Sequence, residues 1–375
     1  MSLFILIIGF LAACTAVGAG PGVLSVENGG LLFTDNQAGV SGVDAGYSLP
    51  IGPRTLWLFG DVFLLHPTNP ERRYVGGVTN TGLLVPRGGV KALRRYTFLT
   101  DRTTGLARPV IPYLAGEGPE VRLWPFGGWY DTRQRRIYLY WARIRTTGEG
   151  GPFGFVVEGY GLAAADAASP EDLSFRRLPN ADGSEIWWPY RPPSKEGARP
   201  SPPVFGSAVV GGVPENEPYL YIVGLGEAAG RKPGKLARVR RDQIENLAAY
   251  EYFSGTPARP SWSRRVEDSA DIEGLSDFPS ELSVSYNRWL KGYLAVHSVA
   301  ISERIRLSLA PNPWGPYRTI AEIGAPHQAF ENAFCYAGKE HPELAEDRGR
   351  IIYVTYVDNR RYWLQLLKVT FGDGP

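Results

Sequence analysis

The feature that most restricts the fold of this chain is a five-fold internal repeat. Copies span residues 43–61, 123–142, 203–224, 281–298 and 331–358. Each gives a strand of small or aromatic residues, a turn, and then a very hydrophobic second strand. The second strands (57–60, 138–142, 219–224, 293–298 and 351–357) are rich in β-branched and aromatic side chains, the pattern of strands covered on both faces. A third and a short outer strand follow in 159–178, 234–253 and 304–323, while the fifth copy shows only a third strand, in 362–371. Repeats of this length that cannot bury their own faces stack against one another. The expected fold is all-β: a five-bladed β-propeller with four antiparallel strands per blade. The unassigned run at 22–35 then supplies the missing outer strand of the last blade, closing the ring and protecting a sheet edge. Two stacked sheets fit the strand content but not the repeat. With 45 Gly, 31 Pro, 20 Tyr and 10 Trp, the composition is that of many short strands and many turns.

The remaining segments set the domain plan. Residues 3–13 are almost wholly apolar and end in Leu11, Ala12, Ala13 and Cys14, the pattern of a short export signal closed by a lipobox. A membrane-spanning helix needs about 20 apolar residues, more than this stretch has. The expected organisation is a lipoprotein signal peptide at 1–13, a lipidated Cys14, a tether at 14–21 and one propeller domain at 22–375, giving an exported, membrane-anchored protein of the periplasm or cell surface. The segment before the apolar run lacks Lys and Arg, so a plain signal peptide cut at Ala16 or Ala19, and a secreted protein, is the alternative. Cys335 is then left without a disulfide partner and reads as a small buried apolar residue. Four scattered histidines, His66, His297, His327 and His341, have no metal-ligand spacing. No metal site and no organic cofactor are expected, although an ion on the propeller axis is compatible with the fold. The net charge of +2 and the absence of long basic runs argue against a nucleic-acid partner. A monomer is expected.

One constellation has geometry behind it. If Pro50 pairs with Thr55 in the first hairpin, continuing that register puts Asp44 directly opposite Asp61 on one face. Facing Cβ atoms lie ~4.5–5.5 Å apart, and like charges there destabilise the sheet. Two close carboxyl groups need not ionise together, so one can remain a proton donor while the other stays anionic, as glycoside hydrolysis requires. A one-residue slip would send one Asp to the other face, and a purely structural reading makes Asp44 a turn cap and Asp61 a strand end. Glu281 opens the fourth copy and is the candidate third polar contact; Glu331 and Asn332 open the fifth, and they and Asp277 are weaker candidates. Tyr47, Trp124 and Trp129 are candidates for a sugar-stacking floor, whereas Trp57 and Trp289 read as packing between blades. Asp131, Asp172, Asp242 and Asp358 fall in turns, where Asp is ordinary. No phosphate loop, Ser-His-Asp order or dinucleotide fingerprint is present.

Around residues 41–61, with the Gly-x-Asp and Phe-Gly-Asp core, the chain resembles the bacterial and phage five-bladed propellers carried as a domain of unknown function, some of which are endo-D-arabinanases acting on mycobacterial cell-wall arabinan. Further matches lie at 244–255, 280–287, 310–317 and 352–359. The resemblance implies that Asp44 and Asp61 are the catalytic acid and base, without saying which is which, and that the substrate is a furanose-rich polysaccharide. The segment 187–190 is not part of this resemblance. Two further expectations stand beside hydrolysis: a non-catalytic propeller that binds a glycan or protein, with the aspartates packed over or locked by Arg, and, more weakly, a lyase.

Overall fold

The computed structural model describes residues 22–66, 74–149, 154–190, 201–211, 217–227, 231–300, 302–325 and 334–372. The expected signal peptide, Cys14 and tether lie outside them, as do Glu331 and Asn332.

Five antiparallel sheets, one per repeat, make a five-bladed propeller. Blade one is ordered Val40–Ile51, Arg54–Leu65, Thr81–Pro86, Thr97–Phe98 from the inside outward. Blade two is Val121–Asp131, Arg136–Thr146, Phe155–Asp166, Arg176–Leu178; blade three is Val204–Gly211, Tyr219–Leu225, Gly234–Arg240, Glu251–Phe253. Blade four is Ser283–Asn287, Gly292–Ser298, Arg304–Ala310, Arg318–Gly324. Blade five takes Cys335–Glu340, Ile351–Asp358 and Leu364–Phe371 from the C-terminal part of the chain, and its outermost strand, Val23–Leu31, from the N-terminal part. That closing strand runs antiparallel to Leu364–Phe371, from Val23 opposite Phe371 to Leu31 opposite Gln365, as the sequence predicts. The four-strand plan holds in blades four and five. The other three add a short fifth strand: Tyr74–Val78, Trp188–Pro189 or Trp262–Ser263.

The core lies in the seams between blades, because each sheet is apolar on both faces. Trp57, fully buried, stacks on His341 of blade five at 4.3 Å between ring centroids, the inter-blade role expected of it. His341 is held at both ring nitrogens, by Ser48 and Thr355 at 2.6 Å each. Trp289 packs at the edge of the blade four–five seam, its indole N–H donating to the Gly372 carbonyl at 3.1 Å. Trp187 and Trp188 fill the seam between blades two and three, their indole N–H groups donating to the Leu178 carbonyl and the Tyr252 hydroxyl. Cys335 is buried, as expected, and burial pushes its thiol up to about 12.

Inner strands of blades one, two, three and five each carry a bulge, at 43–47, 125–128, 205–208 and 336–339. Bulges bend a strand and re-aim its side chains. Glycine at two of them lets neighbouring blades close on each other: a Cβ on Gly127 would lie 2.9 Å from the Ala208 backbone, and one on Gly206 (φ 135°) would lie 2.6 Å from Cβ of Tyr140.

Candidate active site

The first hairpin follows the expected register from Ile51–Arg54 to Tyr47–Leu58, then departs from it. Ala45 pairs with Phe59, one residue off that register, which is regained at Val43–Val62; Asp44 and Asp61 sit on the irregular stretch between and are not a ladder pair. Positive φ at Ala45 (63°) and Gly46 (109°) produces the bend. The direct opposition predicted from an unbroken ladder is therefore corrected. Its consequence survives, because both carboxyl groups still line one cavity of about 650 Å³. That volume is in the range of small-ligand sites. Blades one, two, four and five contribute to its wall.

The two aspartates have different surroundings. Asp61 accepts a short charge-assisted hydrogen bond from Arg122 and another from the Trp124 indole N–H at 3.2 Å. Burial raises its pKa, while the guanidinium and the indole act to lower it. Asp44 accepts from the Tyr362 hydroxyl at 3.3 Å on one oxygen, while its Oδ1 is buried without a hydrogen-bond partner. Burial, then the charges of Glu281 and Asp61, raise the Asp44 pKa to about 7. Glu281 lines the same cavity and accepts from the Ser280 hydroxyl at 2.7 Å. At neutral pH Asp44 is thus poised to hold a proton, and Asp61 sits against a fixed cation. This is the separation of roles that acid–base chemistry on one bond demands.

The whole domain can be placed by comparison. Over residues 31–368 the sequence matches the family described as a domain of unknown function (DUF4185). The chain belongs to that family. A comparison with curated proteins finds no match. Similar solved structures include the catalytic domain of a GH62 α-L-arabinofuranosidase from Coprinopsis cinerea, at 11% identity, TM-score 0.48, covering 94% of this chain and 98% of that one. A family 117 glycoside hydrolase from Zobellia galactanivorans is similar at 10% identity and TM-score 0.46, covering 93% and 91%. A GH43_1 enzyme from Xanthomonas citri is similar at 11% identity and TM-score 0.47, covering 91% and 90%.

Within this family member the sugar-stacking floor predicted from sequence is not assembled. Tyr47 is buried: its hydroxyl donates to the Ser207 carbonyl at 3.1 Å, and the Lys339 ammonium stands 4.6 Å from its ring centroid. Trp129 lies near the hairpin end of its strand, stacked on Tyr138 at 5.8 Å, and does not line the cavity. Trp124 does line it, edge-on to Phe155 at 5.0 Å, but as the hydrogen-bond donor to Asp61. Glu281 is where sequence placed it. Asp277 is not among the cavity residues; it adopts a left-handed turn (φ 64°) and accepts from Ser276 at 2.8 Å. Asp131 and Asp358 are turn residues, each accepting from two backbone N–H groups just downstream.

Sequence reasoning missed Arg122, Tyr362, Lys339 and Tyr336, the last a cavity residue whose hydroxyl hydrogen-bonds the Asp44 carboxyl group. Arg122 had a usable signal, since residues two apart on a strand share a face and it precedes Trp124 by two. Tyr362 sits in the turn before the last strand and had none. Lys339 is fully buried, donates to the Ala337 carbonyl at 2.8 Å, and is lowered by burial to about 8 against the pull of Glu281 and Asp44. Among the described residues no cluster of His, Cys, Asp or Glu is suited to hold a metal ion.

Proposed function

We propose that the protein is a glycoside hydrolase cleaving a furanose-rich polysaccharide, endo-D-arabinanase-like, with Asp44 as general acid and Asp61 as general base. The supporting observation is one cavity holding two carboxyl groups in different environments: burial raises both, Asp44 to about 7 with its Oδ1 unpaired, while Asp61 has the Arg122 guanidinium and the Trp124 indole acting to lower it. In this scheme Asp44 gives its proton to the glycosidic oxygen as the C–O bond breaks. Asp61 takes a proton from the water that attacks the anomeric carbon. Glu281 keeps Asp44 protonated through its negative charge and is placed to meet sugar hydroxyls. The choice of a D-arabinan-like substrate rests on the sequence resemblance around residues 41–61. The lipobox at 11–14 supports export and anchoring through a lipidated Cys14, which would hold a monomeric enzyme beside cell-wall glycan.

The test is release of reducing ends from purified D-arabinan and from a panel of plant and bacterial glycans. Hydrolysis is expected, with kcat/KM falling above about pH 7 as Asp44 loses its proton. A flat profile from pH 6 to 9 sinks the assignment of the acid. Lys339→Met removes a buried cation that favours ionised Asp44, so the falling limb is expected at higher pH than in the unaltered protein. A limb that stays in place shows that Lys339 does not act on Asp44.

The Arg122–Asp61 ion pair also fits a second reading, a non-catalytic propeller that binds a glycan or a protein at the cell surface. That reading requires saturable binding with no product from any glycan in the panel.

A further inference from the structure

An aromatic surface leads out of the cavity, and none of the stacking candidates read from sequence belongs to it. Phe63 lies two residues beyond Asp61 on the same strand, lines the cavity, and leaves 43% of its surface exposed. Both strands beside it present glycine: Phe63 pairs with Gly42 on one side and Gly77 on the other. Directly opposed side chains are what normally cover a residue on a sheet face, so Phe63 has no such cover. The missing side chain at Gly42 also admits Tyr362: a Cβ there would lie 3.1 Å from Phe63 and 3.2 Å from the Tyr362 ring. The Tyr362 ring consequently packs on Phe63 at 4.8 Å, while its hydroxyl reaches Asp44. On the outer side Tyr74, 60% exposed, stands 6.4 Å from Phe63. Three rings therefore run continuously from the candidate acid to open solvent.

We infer that Phe63 and Tyr74 form a binding platform for sugar units of the same glycan whose scissile bond lies at Asp44 and Asp61. The inference rests on the proposed glycan-binding role of that cavity. Furanose and pyranose rings present C–H faces that pack on exposed aromatic faces, while their hydroxyls stay in water, which suits a half-exposed ring. Continuity with the cavity favours a saccharide chain over a protein partner. A chain threaded outward along Tyr362, Phe63 and Tyr74 extends several units beyond the cleavage point, so recognition involves a run of residues and not a single terminal sugar.

The experiment measures binding of D-arabinan oligosaccharides of increasing length by calorimetry, using Asp44→Asn protein so that no substrate is consumed. Affinity is expected to rise with length. Adding Phe63→Ala or Tyr74→Ser is expected to remove roughly three- to tenfold of that rise each. Both positions are exposed, and circular dichroism checks that the variants fold. Affinity that does not depend on length, or a length dependence unchanged in both variants, overturns the platform. A change in sedimentation without a change in glycan affinity also overturns it, in favour of a contact between copies. Loss of the length dependence in these variants, where the protein with Asp44 intact hydrolyses no glycan, leaves the platform standing and removes the hydrolase reading, so the two failures are distinguishable.

Discussion

Asp44→Asn is expected to lower kcat on D-arabinan by roughly 10²–10⁴-fold, the usual contribution of a positioned proton donor. The amide keeps the shape of the carboxyl group and its contact with Tyr362, but has no proton of suitable acidity to give the leaving oxygen. Asp61→Asn is expected to fall by a similar factor for a different reason. It removes the acceptor for the water proton and leaves Arg122 facing a neutral amide. The pair acts on one bond, so the double variant should be little worse than either single one. Stopped assays of reducing-end release measure all three. Retention of activity in both single variants would falsify the site, and retention in one alone reassigns the roles. Oligosaccharide binding should persist in each variant, which separates a chemical defect from a lost pocket.

A chain starting at Leu32 in place of Gly22 is expected to lose several kcal/mol of stability. The closing strand pairs with Leu364–Phe371 along its length, and each ladder bond contributes about 0.5–1.5 kcal/mol net. Its removal also uncovers Leu366, whose side chain lies 3.0 Å from where a Cβ on Gly29 would stand, and Val26 leaves the blade four–five core. Against the 5–15 kcal/mol typical of whole domains, this loss is large. Calorimetry should show a Tm lower by roughly 10 °C or more. Size-exclusion chromatography should show association, because the bared edge of Leu364–Phe371 offers unpaired backbone groups. An unchanged Tm would mean that the strand decorates the ring without closing it.

The sequence by itself determined the number of blades, the hydrophobic second strands, the closing strand and the two aspartates as neighbours on one hairpin. These are products of local periodicity: alternation along a strand, turn residues, and a unit repeated until its faces are covered. It also placed Glu281 at the same cavity, because equivalent positions in successive blades converge on the axis. Only the tertiary structure decided what surrounds the carboxyl groups. The bulge at Ala45 and Gly46 interrupted, between Tyr47–Leu58 and Val43–Val62, a ladder that the sequence pattern makes continuous. Close packing between blades buried Tyr47 and turned Trp124 from a stacking surface into a hydrogen-bond donor. Tyr362 and Lys339 arrive from blade five, at sequence distances over which no period operates, and Arg122 comes from blade two, legible only through its two-residue offset from Trp124. The aspartate pair can thus be read from one strand and its return. Their unequal acidity cannot, since it depends on burial and on charges that only the closed ring brings within reach.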